Sequence, residues 1–269
     1  MAEQKSKVPP RNQAAARARN GGRPHAGGRN RPTKRGGRGF PRRYLYGLAG
    51  IVAVAVVVVI VVVTTTGGSA SGVNKRQAAL NYTLPGGVKV YGGLGPEGVP
   101  LELGPQLAPA NAGLTGATID GIQCSSTEQL VYHHHVHLAI FVDGKPYSVP
   151  LGVGMVPPAQ VSESAQGPFA DGSAKCLYWT HVHAQDGIVH IESPEVRNFE
   201  LGQVMDIWHV PLSPTQLGSY HGRVTATVNG VPWTGDPRQI ALTEHAQIVI
   251  NVGAPVIKPP AINWSGTGL

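Results

Sequence analysis

The sequence has few of the residues that usually announce a chemistry. Among 269 residues there are two cysteines, Cys124 and Cys176. That is too few for a disulfide-dense scaffold or a Cys-rich zinc module. There is no G-x-S-x-G elbow, no P-loop, no G-x-G-x-x-G opening a helix and no C-x-x-C. The signatures of α/β-hydrolases, P-loop nucleotide hydrolases, dinucleotide-binding enzymes and thioredoxin-like oxidoreductases are therefore missing. Gly167–Lys175, GPFADGSAK, is expected to be a loop and not a phosphate cradle. No long heptad run occurs, and Gly 36 with Pro 23 favours short elements and turns over long helices.

Acidic residues are almost missing from residues 1–43. That segment holds 13 Lys/Arg and one acid, Glu3, for a net +12; the remainder holds 9 Lys/Arg and 14 Asp/Glu, for −5. The overall +7 thus describes a basic tail, not the folded part. With almost no apolar side chains, residues 1–43 cannot offset their ordering entropy and are expected to be disordered. Their Gly/Arg pieces offer weak RNA contacts. A cytoplasmic tail touching anionic lipid is the preferred reading, and nucleic acid is not an expected partner.

Tyr44–Val63, YLYGLAGIVAVAVVVVIVVV, is twenty residues without a charge. As a helix it spans about 30 Å, the thickness of a bilayer core. Arg38, Arg42 and Arg43 precede it, so positive-inside logic places the N-terminus in the cytoplasm and the rest outside. The expected division is a tail over 1–43, a transmembrane helix over 44–66, a stalk over 67–95, an extracytoplasmic β domain over 96–258 and a C-terminal tail over 259–269. An uncleaved signal-anchor is preferred over a cleaved signal peptide, because leader and apolar core are both long for the latter.

Three turn signals of one kind punctuate the domain: Asp143-Gly144, Asp186-Gly187 and Asn229-Gly230. Each sits between short apolar runs, as in two-residue hairpins. The expected fold is all-β, an antiparallel sandwich or barrel of short hairpin-linked strands. A weak internal echo (strand, Asp/Asn-Gly, one residue, Pro, aromatic) links the region after His137 to that after Arg223. Turn chemistry alone can produce such an echo.

Ten of the eleven histidines lie between His133 and His245. If Asp186-Gly187 is a type I′ turn, His183 faces His190 and His181 faces Glu192. One side of the hairpin then carries Val182, Ala184, Val189 and Ile191, and the other carries His181, His183, His190 and Glu192. Three imidazoles and a carboxylate on one patch are a candidate site for Cu or Zn. Glu192 is a ligand, a group orienting His181 or, in an enzyme, the base. His133, His135 and His137 share one face of a strand that becomes apolar on both sides beyond His137; they are further candidate ligands. A packing role for either group, or a non-metal cell-envelope interaction module, is the alternative. Cys176 has the opposite parity to His181 and His183, which turns it away from the patch. Outside the membrane, Cys124–Cys176 is expected to be a disulfide.

Together IDGIQC (119–124), EQLVYHHHVHLAIFVDG (128–144), CLYWTHVHAQDGIVHIESP (176–194) and LGQVMDIW (201–208) resemble a group of bacterial membrane-anchored or secreted proteins. That group shares a His-alternating strand and a Cys-Leu-Tyr-Trp-x-His-x-His block running into Ile-His-Ile-Glu-Ser-Pro. The resemblance covers about residues 100–253. It implies an extracytoplasmic domain and no particular reaction. The group's usual Trp-Gly pair is Trp208-His209 here, so no shared role is expected for His209.

Overall fold

The computed structural model describes residues 78–269. The basic tail, the Tyr44–Val63 span and the first part of the 67–95 linker lie outside the described residues. Among the described residues no helix is long and apolar enough to cross a membrane.

The organising element is the eleven-residue strand Tyr132–Val142. Its even positions Val136, Leu138, Ile140 and Val142 enter the largest apolar cluster. Ala139 and Phe141 on the other face join a second cluster with Ala79, Leu84, Val90, Tyr91, Val249 and Ile257. Both faces are therefore covered, as the sequence predicts for a central strand. Each fully buried aliphatic side chain contributes roughly 1.5–3 kcal/mol. Packed residues reach outside the 96–258 range on both sides, from Ala79 to Ile262.

Ile188–Ser193 pairs antiparallel with the first half of this strand, and Lys145–Tyr147 with the end of the second half. Gln247–Val252 lies along the other edge and runs parallel to it. Val224–Val228, Val231–Trp233 and, at the opposite end, Thr180–His181 complete a seven-stranded sheet. The fold is mostly β-strand with few helices, as expected. The sheet is mixed and not purely antiparallel, however, and its strand path has two ends, so it does not close into a barrel. A parallel partner was not legible because its pairing crosses most of the domain, with no turn between the two strands.

Two of the three turn signals form tight hairpins. Asp143 and Gly144 have φ of +48° and +72°, Asn229 and Gly230 have +52° and +79°, as a type I′ turn requires. Asp186-Gly187 does not form one: Gly187 has φ +77°, and Asp186 is not left-handed. The pairing there is His181↔His190 and Thr180↔Ile191, two residues away from the expected register. The reason is competition. Asp186 Oδ1 accepts from Ile188 N at 3.1 Å, Leu138 N donates to Gly187 O, and Glu102 N to Gln185 O. The segment 182–187 spends its polar groups on neighbouring elements, not on a hairpin partner.

Gly167–Lys175 is also corrected. It belongs to the strand Gly167–Tyr178, which pairs with Met155–Ser164 and with Cys124–Ser125. Much of this ribbon is exposed, so no period-two apolar pattern marks it in the sequence. Its end carries Cys176, which is disulfide-bonded to Cys124. Both cysteines pack against the main apolar cluster.

The helix Leu201–Ile207 buries Leu201, Val204, Met205 and Ile207, an i, i+3, i+4 pattern. Glu200 and Gln203 form its capping box.

Candidate metal centre

The sheet sets the imidazoles in rows. On Ile188–Ser193, every second side chain (Ile188, His190, Glu192) faces one way. On one side His190 and Glu192 pair with His135 and His133. On the other, His181 pairs with His190. The two histidine groups of the sequence are thus adjacent, with His190 between them. A two-residue shift in register preserves side-chain parity, so His181, His190 and Glu192 share a face despite the altered turn. His183 reaches the same place from the 182–187 segment, fixed by Ala170 N donating to His183 O.

His181, His183, His190 and Glu192 each offer a ligand atom within 4.8 Å of the others, and all four are buried. His181 Nε2 lies 3.1 Å from His183 Nε2. His181 Nδ1 donates to Tyr178 O at 2.9 Å, and His183 Nδ1 to Ala170 O at 2.5 Å. A carbonyl only accepts, so each neutral ring carries its proton on Nδ1 and presents a bare lone pair at Nε2. Burial, and then the charge on neighbouring histidines, lowers both from the usual imidazole range. Protonation is therefore the unfavourable way to reconcile two lone pairs at this distance. A cation between them is the favourable one. Two nitrogens bound to one ion at 2.0–2.1 Å stand about 2.9–3.4 Å apart for N–metal–N angles near 90–110°.

His190 has a different environment. Its Nε2 is 2.6 Å from Glu97 Oε1, and its Nδ1 is 3.4 Å from Glu192 Oε1. Burial works against charging this ring, yet the Glu192 and Glu97 carboxylates together outweigh it and hold the imidazolium up to about 9. Each of the three rings therefore has one nitrogen tied to an oxygen acceptor, the arrangement that orients metal-bound histidines. These buried His and Glu groups can hold a metal ion.

The second trio divides. His133 Nε2 and His135 Nε2 are 3.0 Å apart, and His133, His135 and His190 form a second convergent group. His133 Nε2 is also 3.4 Å from Glu192 Oε1. Burial, then the His190 charge, lowers His135 to about 3. His137 lies opposite Ile188, with Nε2 3.8 Å from Glu102 Oε1, and belongs to neither group. It is fully buried, and burial lowers it to about 4. Beside it burial pushes Glu102 up to about 8 and raises Asp186. Gly187 is required here: a Cβ on it would come within 2.7–2.9 Å of Leu138 O, Glu102 Oε1 and His137 Nε2.

Two acids that sequence reasoning missed complete the surroundings. Glu97 sits in a turn, Gly98 N donating to Gly95 O, between the paired strands Tyr91–Leu94 and Pro100–Glu102. Glu128 Oε1 is 3.7 Å from His183 Nε2, with its side chain 39% exposed. Neither lies in a periodic stretch, and only tertiary packing brings them to the histidines. Of the remaining histidines, His134 faces away and bonds Leu242 O at 2.8 Å, His209 Nδ1 donates to Ala112 O, and His245 stacks on Trp264.

Comparison of the chain with protein-family models, with curated proteins and with solved structures finds no match to any of them.

Proposed function

We propose that this is a single-pass membrane protein, N-terminus inside, whose extracytoplasmic β domain binds a transition metal through His181, His183, His190 and Glu192. Zn(II) or Cu(II) suits a set of imidazoles and a carboxylate without sulfur. One observation carries the reading: two Nε2 lone pairs 3.1 Å apart, each ring's Nδ1 proton held by a backbone carbonyl. The membrane part rests on the length and flanking charge of Tyr44–Val63. The 1–43 tail would lie against anionic lipid.

Storage, transfer or sensing of the metal is preferred over catalysis at the same patch. A cavity of about 530 Å³ is walled by His245, Trp264, Gln247, Lys258 and neighbours, and none of the cluster residues lines it. The test uses the full chain, purified in detergent, stripped with chelator and titrated separately with Zn(II) and Cu(II). Uptake that falls by one ion per chain in His181→Ala/His183→Ala supports the reading; no uptake of either ion overturns it.

A further inference from the structure

The cluster contains more donors than one ion needs. Beyond the four already assigned, His133 and His135 bring their Nε2 atoms to 3.0 Å, nearly the 3.1 Å of the first pair. The sheet places this second pair, since His133 and His135 stand directly opposite Glu192 and His190. Glu192 lies between the two pairs. Its Oε1 is 3.4 Å from His133 Nε2 and 3.8 Å from His181 Nε2. Its Oε2 is buried and has no hydrogen-bond partner among the described residues.

We propose that the site is dinuclear: a second ion binds to His133 and His135, and the Glu192 carboxylate is shared between the two ions. The proposal rests on the function proposed above for the first ion. A shared carboxylate needs a nitrogen pair on each side, which is the arrangement around Glu192: Oε2 has no donor, and the other donor near Oε1 is His190 Nδ1 at 3.4 Å, itself assigned to the first ion. It also accounts for the buried, unpartnered Oε2, an otherwise costly feature.

The plain alternative is an N–H···N hydrogen bond between neutral His133 and His135. That explains the 3.0 Å distance. It leaves Glu192 Oε2 without a partner and denies the His133 Nε2 proton to Glu192 Oε1. His190 cannot serve both ions while Glu97 holds its Nε2, so it stays with the first. The two ions would differ in access. The His181 side chain is 1% exposed and that of His133 is 37% exposed. The outer ion keeps open positions for water or an incoming ligand, and it should exchange faster.

The experiment counts ions. The full chain in detergent is titrated with Zn(II) alone and analysed for metal; a Cu(II) titration is followed by EPR. Two ions per chain are expected, one lost quickly to chelator and one slowly, with spin coupling between the two Cu(II) ions. His133→Ala alters an exposed ring and should fold; it and His133→Ala/His135→Gln should each bind one ion, with the slow phase intact and the coupling gone. One ion in the unaltered chain, or two in the double variant, overturns the dinuclear site and leaves the first site standing. No ion in the unaltered chain overturns both.

Discussion

His181 and His183 approach each other through the nitrogens that carry no proton, 3.1 Å apart, while their other nitrogens are held by Tyr178 O and Ala170 O. Neither ring can turn to relieve this contact without breaking its hydrogen bond to a backbone carbonyl. His183→Ala should therefore weaken Zn(II) binding at the first site by about 100-fold or more, as loss of one ligand from a buried set implies. Competition titration with a chromophoric chelator measures it. An effect under threefold would exclude His183 as a ligand.

Glu97 touches no ion in this arrangement and acts through His190 Nε2 at 2.6 Å. Glu97→Gln should cost roughly 10–100-fold in affinity, the usual range for an outer carboxylate behind a metal-bound histidine. It should also lower the His190 pKa in the metal-free protein, which NMR titration of the imidazole detects. A purely structural Glu97 would leave that pKa where it is.

Without metal, stability should depend on pH in a defined direction. His190 rises from 6.5 unfolded to about 9 folded, so its contribution is complete below pH 6.5 and is lost as pH rises through 9. Glu102 rises from 4.5 to about 8; it has the same sign and is lost through pH 8. Thermal melts of the stripped chain should thus show Tm falling between about pH 7 and 9. Zn(II) binding through His190 releases its proton, so affinity should climb over the same interval. Calorimetry in buffers of different ionisation enthalpy should find about one proton released at pH 7.5. A Tm that is flat or rising over this interval would contradict the assigned charge on His190.

His134 supplies the control. It lies on the opposite face and bonds Leu242 O. His134→Ala should cost about 1–3 kcal/mol by leaving a buried carbonyl unpaired and should leave metal affinity unchanged. Reduced affinity in this variant would mean that the whole sheet, not the local ligand set, governs binding.

The Cys124–Cys176 disulfide closes a loop with a separation of 52 residues. In the chain-entropy model it contributes about 4 kcal/mol. Cys124→Ser/Cys176→Ser should lower the denaturation midpoint accordingly, and saturating Zn(II) should recover part of the loss by mass action. Equal midpoints with and without the disulfide would leave it no stabilising role.

The sequence made face membership legible, and distances less so. Parity along Tyr132–Val142 and Ile188–Ser193 assigned His133, His135, His190 and Glu192 to one side, because that alternation is intrinsic to a strand. The Asp186-Gly187 turn was misread because local turn preference lost to buried partners, Glu102 and Leu138, that no local window contains. Since the error was an even number of residues, the face survived it. Glu97 and Glu128 were invisible for a related reason: each is a lone acid in a turn or loop, and nothing in its neighbours indicates where the turn is carried. The parallel partner Gln247–Val252 was legible as a strand but not as a neighbour.

That parallel pairing has a consequence for how a metal ion would reach the site. The imidazole-bearing strand 132–142 is made before either of its neighbours. Its edges wait first for 188–193 and then for 247–252, and such long-range closures come late in folding. Until then the strand is an unpaired edge studded with imidazole donors, open to any ion in its surroundings. If the site binds metal as proposed, which ion is captured first would depend on timing during folding as much as on the finished geometry, and a chain refolded in vitro need not select the ion that was present when it first folded.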